Sequence, residues 1–269
     1  REPAQPQGVV ADRLQEGPPK DLCIIVGASS ASPKHIREAR AAVETWLKPY
    51  LPISSEHTAS QHALALIYSR QPLFPEWANW TLSLAADLDL HHRKFNAHRF
   101  LYLWSVLASH NVWKCRFFLK ADPDAYVNVP ALVQALGDFD ASSPLYLGIS
   151  ALVHTRLGGG AEGGQDVFEK FNHGLGYILS SGALLSAREA LRECSYEARQ
   201  FPESQEDMTL AACLREANVH PQEVGPIIYD FQGDYVQAAR LQPPALMIHP
   251  VPEHHMRSLH DALLERASQ

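Results

Sequence analysis

The 269-residue sequence contains no apolar run long enough to cross a membrane and no signal-peptide pattern at its start. A transmembrane helix needs about 20 consecutive apolar residues. A secretory signal combines a basic start, an apolar centre and a cleavage site of small residues. The first residue is Arg1 rather than Met, so we expect that the N-terminus has been trimmed and that any native anchor was removed with it.

The sequence also has fewer basic residues than acidic residues. The chain has 23 Lys and Arg residues against 30 Asp and Glu residues, which gives a formal net charge of −7. A nucleic-acid-binding protein needs a basic face that neutralises phosphates, so this balance argues against one. A single small anionic ligand stays open, because a local group of hydrogen-bond donors is sufficient to bind it.

Only four cysteines are present, and no two of them have the spacing of zinc ligands. Four cysteines allow three pairings, and the sequence alone neither chooses among them nor excludes free thiols in the core. One glycosylation sequon, Asn79-Trp80-Thr81, has meaning only in a secreted protein. The glycine-rich segment 158–164 lacks the lysine and helix start of a phosphate-binding loop, and we expect a mobile loop there.

Short apolar runs alternate with helical patterns through the first half of the chain. Residues 1–20 contain four prolines among polar residues, which predicts an extended stem or linker. The predicted strands are 22–26, 63–68 and 116–120, and the predicted helices are 34–46, 91–110 and 130–136. Strands that alternate with helices indicate one α/β domain over residues 21–269, with a largely parallel sheet.

Two acids, Asp122 and Asp124, directly follow the strand at 116–120 and flank Pro123. Ligands of parallel sheets bind at the carboxyl ends of the strands. Two carboxylates at this spacing repel each other unless a cation lies between them, and a divalent cation there bridges to a diphosphate. The alternative is a turn, because Asp-Pro-Asp is good turn chemistry without any metal. The apolar strand before the pair favours the cation site.

The acidic pair belongs to a series of five short motifs. They are 118–127 (FLKADPDAYV), 144–148 (PLYLG), 173–180 (HGLGYILS), 206–210 (EDMTL) and 249–255 (HPVPEHH). In this order they resemble the motifs of the fringe and core-1 β1,3-galactosyltransferase family. The first is similar to the family's FLKADDDTYV, with Pro123 in place of the middle acid. The last is similar to HPFVPEHH of the core-1 enzymes, so the resemblance is closest to that branch.

The resemblance implies a GT-A type fold, which is an α/β, Rossmann-like and mostly parallel sheet flanked by helices. It implies an inverting, Mn²⁺-dependent glycosyltransferase that moves a hexose, with galactose the first choice, from a UDP-sugar. The acceptor is expected to be a glycan or O-linked GalNAc, joined in β1,3 linkage. The expected location is the Golgi or ER lumen, as a type II membrane protein, and a homodimer is a further expectation.

The resemblance also implies the metal ligands. Asp122 and Asp124 would hold the metal, and a histidine near the C-terminus would complete the site, because neutral imidazole beside carboxylates suits manganese. The candidates are His249, His254 and His255, and we select His249. A surface position is the alternative for each histidine.

Further roles follow from the same motifs. Asp207 or Glu206 would be the base that deprotonates the acceptor hydroxyl, with a helix N-cap as the alternative for Asp207. Gly174 and Gly176 would allow close backbone approach to donor or acceptor. The remaining expected donor contacts are Ala28, Ser29 and Ser30 at the uridine site, Asp122, and the basic residues Arg93, Lys94 and Lys120, for which solvated surface is the alternative. In such a fold Cys23–Cys115 and Cys194–Cys213 would form disulfides, which the lumen permits.

Three functions are compatible with the sequence. An active transferase is favoured because Asp122, Asp124 and Asp207 are all kept. A catalytically inactive relative that acts as a folding partner or a glycan-binding protein is the second, and Pro123 together with the lack of the family's later histidine favours it. A nucleotide-binding protein without transferase activity explains the strand pattern but not the ordered motifs.

Overall fold

The computed structural model describes residues 19–30, 32–51, 62–69, 72–82, 96–110, 114–157, 165–197, 205–229 and 233–267. Its strands are β1 (Lys20–Gly27), β2 (Ala63–Tyr68), β3 (Thr81–Leu82), β4 (Cys115–Ala121), β5 (Tyr126–Val127), β6 (Tyr146–Leu157), β7 (Gln165–Ser180), β8 (Pro221–Glu223), β9 (Ile227–Tyr229) and β10 (Met247–His249). Its helices are α1 (Pro33–Ala42), α2 (Asn96–His110), α3 (Val129–Leu136), α4 (Ser181–Ser186), α5 (Arg188–Glu197), α6 (Glu206–Glu216), α7 (Tyr235–Ala238) and α8 (Glu253–Ala267). Segments 1–18, 91–95 and 158–164, which carry parts of the predicted stem, helix and loop, lie outside the described residues.

The main sheet has seven strands in the order β3-β2-β1-β4-β7-β6-β8. β1 pairs in parallel with β2 and β4, β2 with β3, and β6 with β8. β7 runs antiparallel to both β4 and β6. Strands covered on both faces read as continuous apolar runs, as β1, β2 and β4 do. The predicted α/β class with a largely parallel sheet is confirmed.

Successive residues of β1 enter two separate cores, because side chains alternate across a strand. Leu22 and Val26 pack in the core on the side of α1, α3 and α8. Cys23 and Ile25 pack in the core on the side of α2, α5 and α6. Among the described residues, the sheet is therefore covered by helices on both faces.

Both disulfides expected from the resemblance are present. Cys23 in β1 joins Cys115 in β4, and Cys194 in α5 joins Cys213 in α6. The Cα atoms of the two pairs are 5.8 Å and 6.1 Å apart. No cysteine is left as a free thiol, which rules out that alternative.

A second sheet, in the order β5-β10-β9, binds the C-terminal part of the chain to the acidic turn. Ile248 of β10 lies opposite Tyr126 of β5 in an antiparallel pair. Just beyond, the Val251 N–H donates to the Asp124 carbonyl over 2.7 Å. These bonds bring the end of β10 beside Asp124, although the two segments are far apart in sequence.

Two helices differ from the prediction at their ends. The helix predicted over 34–46 begins at Pro33, because Ser32 caps it by accepting from the His35 N–H, and it passes into a π-helical turn at Val43–Leu47. Helix α6 begins at Glu206 with Gln205 at its N-cap position. The N-cap interpretation of Asp207 is therefore wrong, and Asp207 lies in the first turn. Among the described helices, none is both long and apolar enough to span a membrane.

Candidate active site

A cleft of about 650 Å³ opens where β1 and β4 end. This is the edge of a parallel sheet at which ligands bind. Residues from seven parts of the chain line it: Gly27, Ala28 and Ser29 at the end of β1, His35 and Glu38 of α1, Arg99 and Phe100 of α2, Lys120, Asp122, Pro123 and Asp124 at the end of β4, Gly174 of β7, Gln205, Glu206 and Asp207 at the start of α6, and His249 of β10.

Asp122, Asp124 and His249 bring three ligand atoms together inside this cleft, all within 4.8 Å of one another. His249 Nε2 is 3.1 Å from Asp124 Oδ1 and 3.8 Å from Asp122 Oδ2. Burial raises the pKa of Asp124, but His249 and Lys34 outweigh burial and hold that pKa below its ordinary value. Two carboxylates and an imidazole fit Mn²⁺ or another divalent cation.

The acidic pair also forms a turn. The Asp122 carbonyl accepts from the Ala125 N–H over 3.1 Å, and the Asp122 N–H donates to the Leu175 carbonyl of β7 over 3.2 Å. The turn and cation interpretations are therefore compatible, because the turn uses backbone atoms and leaves both carboxylates facing the cleft.

The two other candidate histidines lie elsewhere. His254 and His255 are in the first turn of α8, and neither lines the cleft. The His255 ring stacks on Tyr235 with 4.8 Å between ring centroids. Of the three candidates, His249 alone is brought beside the aspartates.

Lys120 is the buried centre of the site, with 3% of its surface exposed. Its Nζ lies 2.7 Å from Asp122 Oδ1 and 3.5 Å from Glu206 Oε2, and it donates to the Gly174 carbonyl. Burial lowers the pKa of Lys120, but the carboxylates of Asp122 and Glu206 outweigh burial and hold that pKa above its ordinary value. The surface alternative for Lys120 is wrong, and its ammonium group links the acidic pair to Glu206.

Glu206 lies behind Lys120, with 9% of its side chain exposed. The Tyr177 hydroxyl donates to Glu206 Oε1, and the Trp104 Nε1–H donates to that hydroxyl over 2.8 Å. Burial raises the pKa of Glu206 to about 7, although Lys120 opposes the shift. Both carboxylate oxygens are thus engaged, one by Tyr177 and the other by Lys120.

Asp207 is held by backbone groups instead. Its Oδ2 accepts from the Gly174 N–H and its Oδ1 from the Met208 N–H, each over 2.9 Å. A side chain on Gly174 would bring a Cβ to 3.2 Å from Asp207 Oδ2, so the close approach there suits glycine. One acceptor position remains on each Asp207 oxygen.

The other predicted donor contacts divide into three groups. Ala28 and Ser29 line the cleft, whereas Ser30 lies in the turn before α1 and is not among the lining residues. Gly176 does not line the cleft either, and a Cβ there would collide with the Met247 sulfur of β10. The close approach that Gly176 allows is therefore to protein rather than to ligand. Arg93 and Lys94 lie outside the described residues.

The sequence analysis did not identify four polar residues of the cleft: His35, Glu38, Arg99 and Gln205. The Arg99 guanidinium is buried and donates to the Tyr68 carbonyl over 3.2 Å, at the end of β2. The helical pattern marks only the apolar face of a helix. It contains no signal for which of the remaining polar residues face a cleft.

Comparison with known proteins identifies the family of the chain. Residues 87–226, just over half of the chain, match the family described as Fringe-like. The chain belongs to the Fringe-like family. For this Fringe-like protein the match confirms the resemblance stated from the motifs and assigns it to a family of glycosyltransferases. The match is to the family as a whole, so the closer likeness to the core-1 branch stays a prediction. No curated protein gives a significant match.

Several solved structures are similar in fold to this Fringe-like protein. One is a glycosyltransferase involved in the glycosylation of the major capsid of PBCV-1, with 14% identity and a TM-score of 0.47 over 88% of this chain and 98% of that one. The glycosyltransferase GlyE of Streptococcus pneumoniae TIGR4 has 11% identity and a TM-score of 0.48 over 93% and 64%. The galactosyltransferase LgtC, in complex with donor and acceptor sugar analogs, has 11% identity and a TM-score of 0.44 over 90% and 96%. Identities this low transfer no substrate to this chain.

Proposed function

We propose that this Fringe-like protein is an inverting, metal-dependent glycosyltransferase. It moves a hexose, with galactose the first choice, from a UDP-sugar to a glycan or O-linked GalNAc in β1,3 linkage. The observation that carries the proposal is the convergence of Asp122, Asp124 and His249 with two further carboxylates, Glu206 and Asp207, in one cleft.

The charge of the cleft supports a requirement for a divalent cation. Five carboxylates line it against the two cationic side chains of Lys120 and Arg99, an excess of three negative charges with every acid ionised. Such a cleft repels a nucleoside diphosphate unless a cation enters with it. A divalent cation held by the Asp-Asp-His set would neutralise the charge that develops on the departing diphosphate.

We assign the role of base to Asp207. Geometry takes precedence over pKa in this choice, because a base must reach the proton that it removes. Asp207 lines the cleft, is fixed by two backbone N–H groups and keeps acceptor positions. Glu206 is the second candidate, favoured by its pKa of about 7, but Tyr177 and Lys120 occupy its oxygens.

We further propose the Golgi or ER lumen as the location, as a type II membrane protein. The two disulfides support this location, because such bonds persist in oxidising compartments and are rare in the cytosol. The homodimer stays a prediction. The alternative function is an inactive relative that binds glycans or assists folding, and buried Pro123 in place of the family's middle acid favours it.

The test is release of UDP from candidate UDP-sugars, with and without Mn²⁺, in the presence of an α-linked GalNAc acceptor. We expect release that needs Mn²⁺ and is abolished by Asp124→Asn, whereas Asp138→Asn, at an exposed position after α3, retains it. Thermal stabilisation by UDP should likewise require Mn²⁺. Stabilisation without turnover would favour the inactive relative, and folded protein that shows neither would contradict the proposal.

A further inference from the structure

Glu38 is a buried carboxylate of the cleft that the proposed reaction does not use. It lies in the second turn of α1, with 4% of its surface exposed. Its Oε1 pairs with Lys34 Nζ at 3.2 Å, while Oε2 is buried and has no hydrogen-bond partner among the described residues. A buried carboxylate with an unused oxygen is unfavourable, so it points to a positively charged or hydrogen-bond-donating ligand in the cleft.

Lys34 connects Glu38 to the acidic pair. Its side chain is 61% exposed, and its Nζ lies 3.2 Å from Glu38 and 3.8 Å from Asp124 Oδ2. Lys34 and Glu38 are four residues apart on α1 and therefore share one face of the helix. The ammonium group of Lys34 thus lies beside two carboxylates, one of which belongs to the Asp-Asp-His set.

Glu38 and Asp124 are close enough to influence each other. Burial raises the pKa of Glu38, the charge of Asp124 raises it further, and Lys34 lowers it. The two carboxylates therefore repel each other, and any positive charge between them relieves the repulsion. A divalent cation would relieve it more fully than one exposed ammonium group, because it carries twice the charge.

We propose that Glu38 is a third acidic residue of the cation site and that Lys34 is the group which a divalent cation displaces from Asp124. The inference rests on the proposed function, since it concerns the same site. The inference predicts opposite effects on cation affinity for substitutions of Glu38 and Lys34, which lie on one helix. Loss of the Glu38 charge weakens cation binding, and loss of the Lys34 charge strengthens it because the competing ammonium group is gone.

The test is Mn²⁺ binding in the absence of nucleotide, measured from the electron paramagnetic resonance signal of free Mn²⁺. We expect Glu38→Gln to weaken Mn²⁺ binding about tenfold, the lower end for groups that support metal ligands from outside. Lys34→Gln should tighten it. The matched controls are Glu44→Gln and Lys48→Gln, which remove the same charges just beyond α1 at exposed positions and should leave the affinity unchanged.

The outcomes separate this inference from the proposed function. If Asp124→Asn abolishes Mn²⁺ binding while Glu38→Gln binds as the unchanged protein does, Glu38 is no part of the site and the proposed function stands. If the unchanged chain binds no Mn²⁺ at all, the proposed function itself fails. Should Glu38→Gln not fold, Lys34→Gln decides alone, because that exposed position tolerates change, and an unaltered Mn²⁺ affinity there would overturn the inference.

Discussion

At the scale of single residues, Glu206 and Asp207 show how adjacent carboxylates acquire different chemistry. Both lie in the first turn of α6, where the helix dipole favours negative charge. Glu206 points into a buried set of side chains with Tyr177 and Lys120, whereas Asp207 is bound by backbone N–H groups. Because Lys120 also contacts Asp122, a change of charge at the acidic pair alters the electrostatic interaction between Lys120 and Glu206.

The assignment of the base predicts different kinetics for two variants. Asp207→Asn should lower kcat at least 100-fold, the usual contribution of a general base, with Mn²⁺-dependent binding of UDP unchanged. Glu206→Gln should lower kcat less, because Glu206 acts through Lys120. Initial rates and thermal stabilisation by UDP measure the two quantities. A larger kcat loss in Glu206→Gln than in Asp207→Asn would assign the base to Glu206.

The pKa of Glu206 predicts a dependence of stability on pH. Burial raises that pKa from 4.5 to about 7 in the folded chain, so the folded state binds more protons than the unfolded state between these values. The stability that protonated Glu206 contributes is present in full below about pH 4.5 and is lost as pH rises through about 7. The unchanged chain should therefore lose up to about 3 kcal/mol of unfolding free energy from pH 5 to pH 8 relative to Glu206→Gln.

The measurement is urea denaturation at both pH values with a chelator present, so that no cation alters Glu206. Glu216→Gln, at the exposed end of the same helix, is the control. Its unfolding free energy should differ from that of the unchanged chain by the same amount at both pH values. An equal effect of Glu206→Gln at pH 5 and pH 8 would contradict the raised pKa.

The sequence predicted only part of this residue-scale chemistry. Asp122, Asp124 and His249 lie in motifs whose order could be recognised, and the structure brings them together. The burial of Lys120 and the position of Glu38 could not be predicted. The burial of Lys120 and the position of Glu38 both depend on which elements pack over the ends of the strands. The sequence pattern around a single polar residue does not indicate this packing.

At the scale of elements, the site depends on how the C-terminal part of the chain returns to the sheet. β10 pairs with β5 directly after the acidic turn, and His249 is its last residue. Three strands of the parallel half, β1, β2 and β4, were predicted because they are short apolar runs. The long pair β6 and β7 was not, because it mixes apolar residues with Lys170, Asn172 and His173 and follows no simple apolar pattern.

Gly176 of β7 tests this dependence. A Cβ there would meet the Met247 sulfur in β10, so Gly176→Ala should lower the unfolding free energy by about 1–3 kcal/mol and weaken Mn²⁺ binding by displacing the strand that carries His249. Denaturation and Mn²⁺ titration measure the two effects. The double variant with Met247→Ala makes room and should be less destabilised than the sum of the single variants. Additive effects would show that the contact does not matter.

At the scale of the whole molecule, the disulfide bonds of the chain must be compatible with the compartment in which it folds. The disulfides tie β1 to β4 and α5 to α6, so one lies within the sheet and the other in the helical layer above it. Cys23, Cys115, Cys194 and Cys213 are all used, as expected of a chain that folds where disulfides form. A chain that folds in the lumen also meets the machinery that glycosylates Asn-X-Thr, and the sequence contains one such triplet.

Asn79 is therefore expected to carry an N-linked glycan when the chain is expressed through a eukaryotic secretory pathway. It is exposed in the 3₁₀ turn Pro75–Trp80, while Thr81 is buried and its hydroxyl donates to the Trp77 carbonyl over 2.9 Å. The glycan must be added before folding buries Thr81, and exposed Asn79 then leaves room for it. A peptide N-glycosidase should lower the apparent mass of the secreted chain, and Asn79→Gln should remove that change while Asn218→Gln, outside any sequon, keeps it. A secreted, folded chain whose mass the glycosidase does not alter would contradict the expectation.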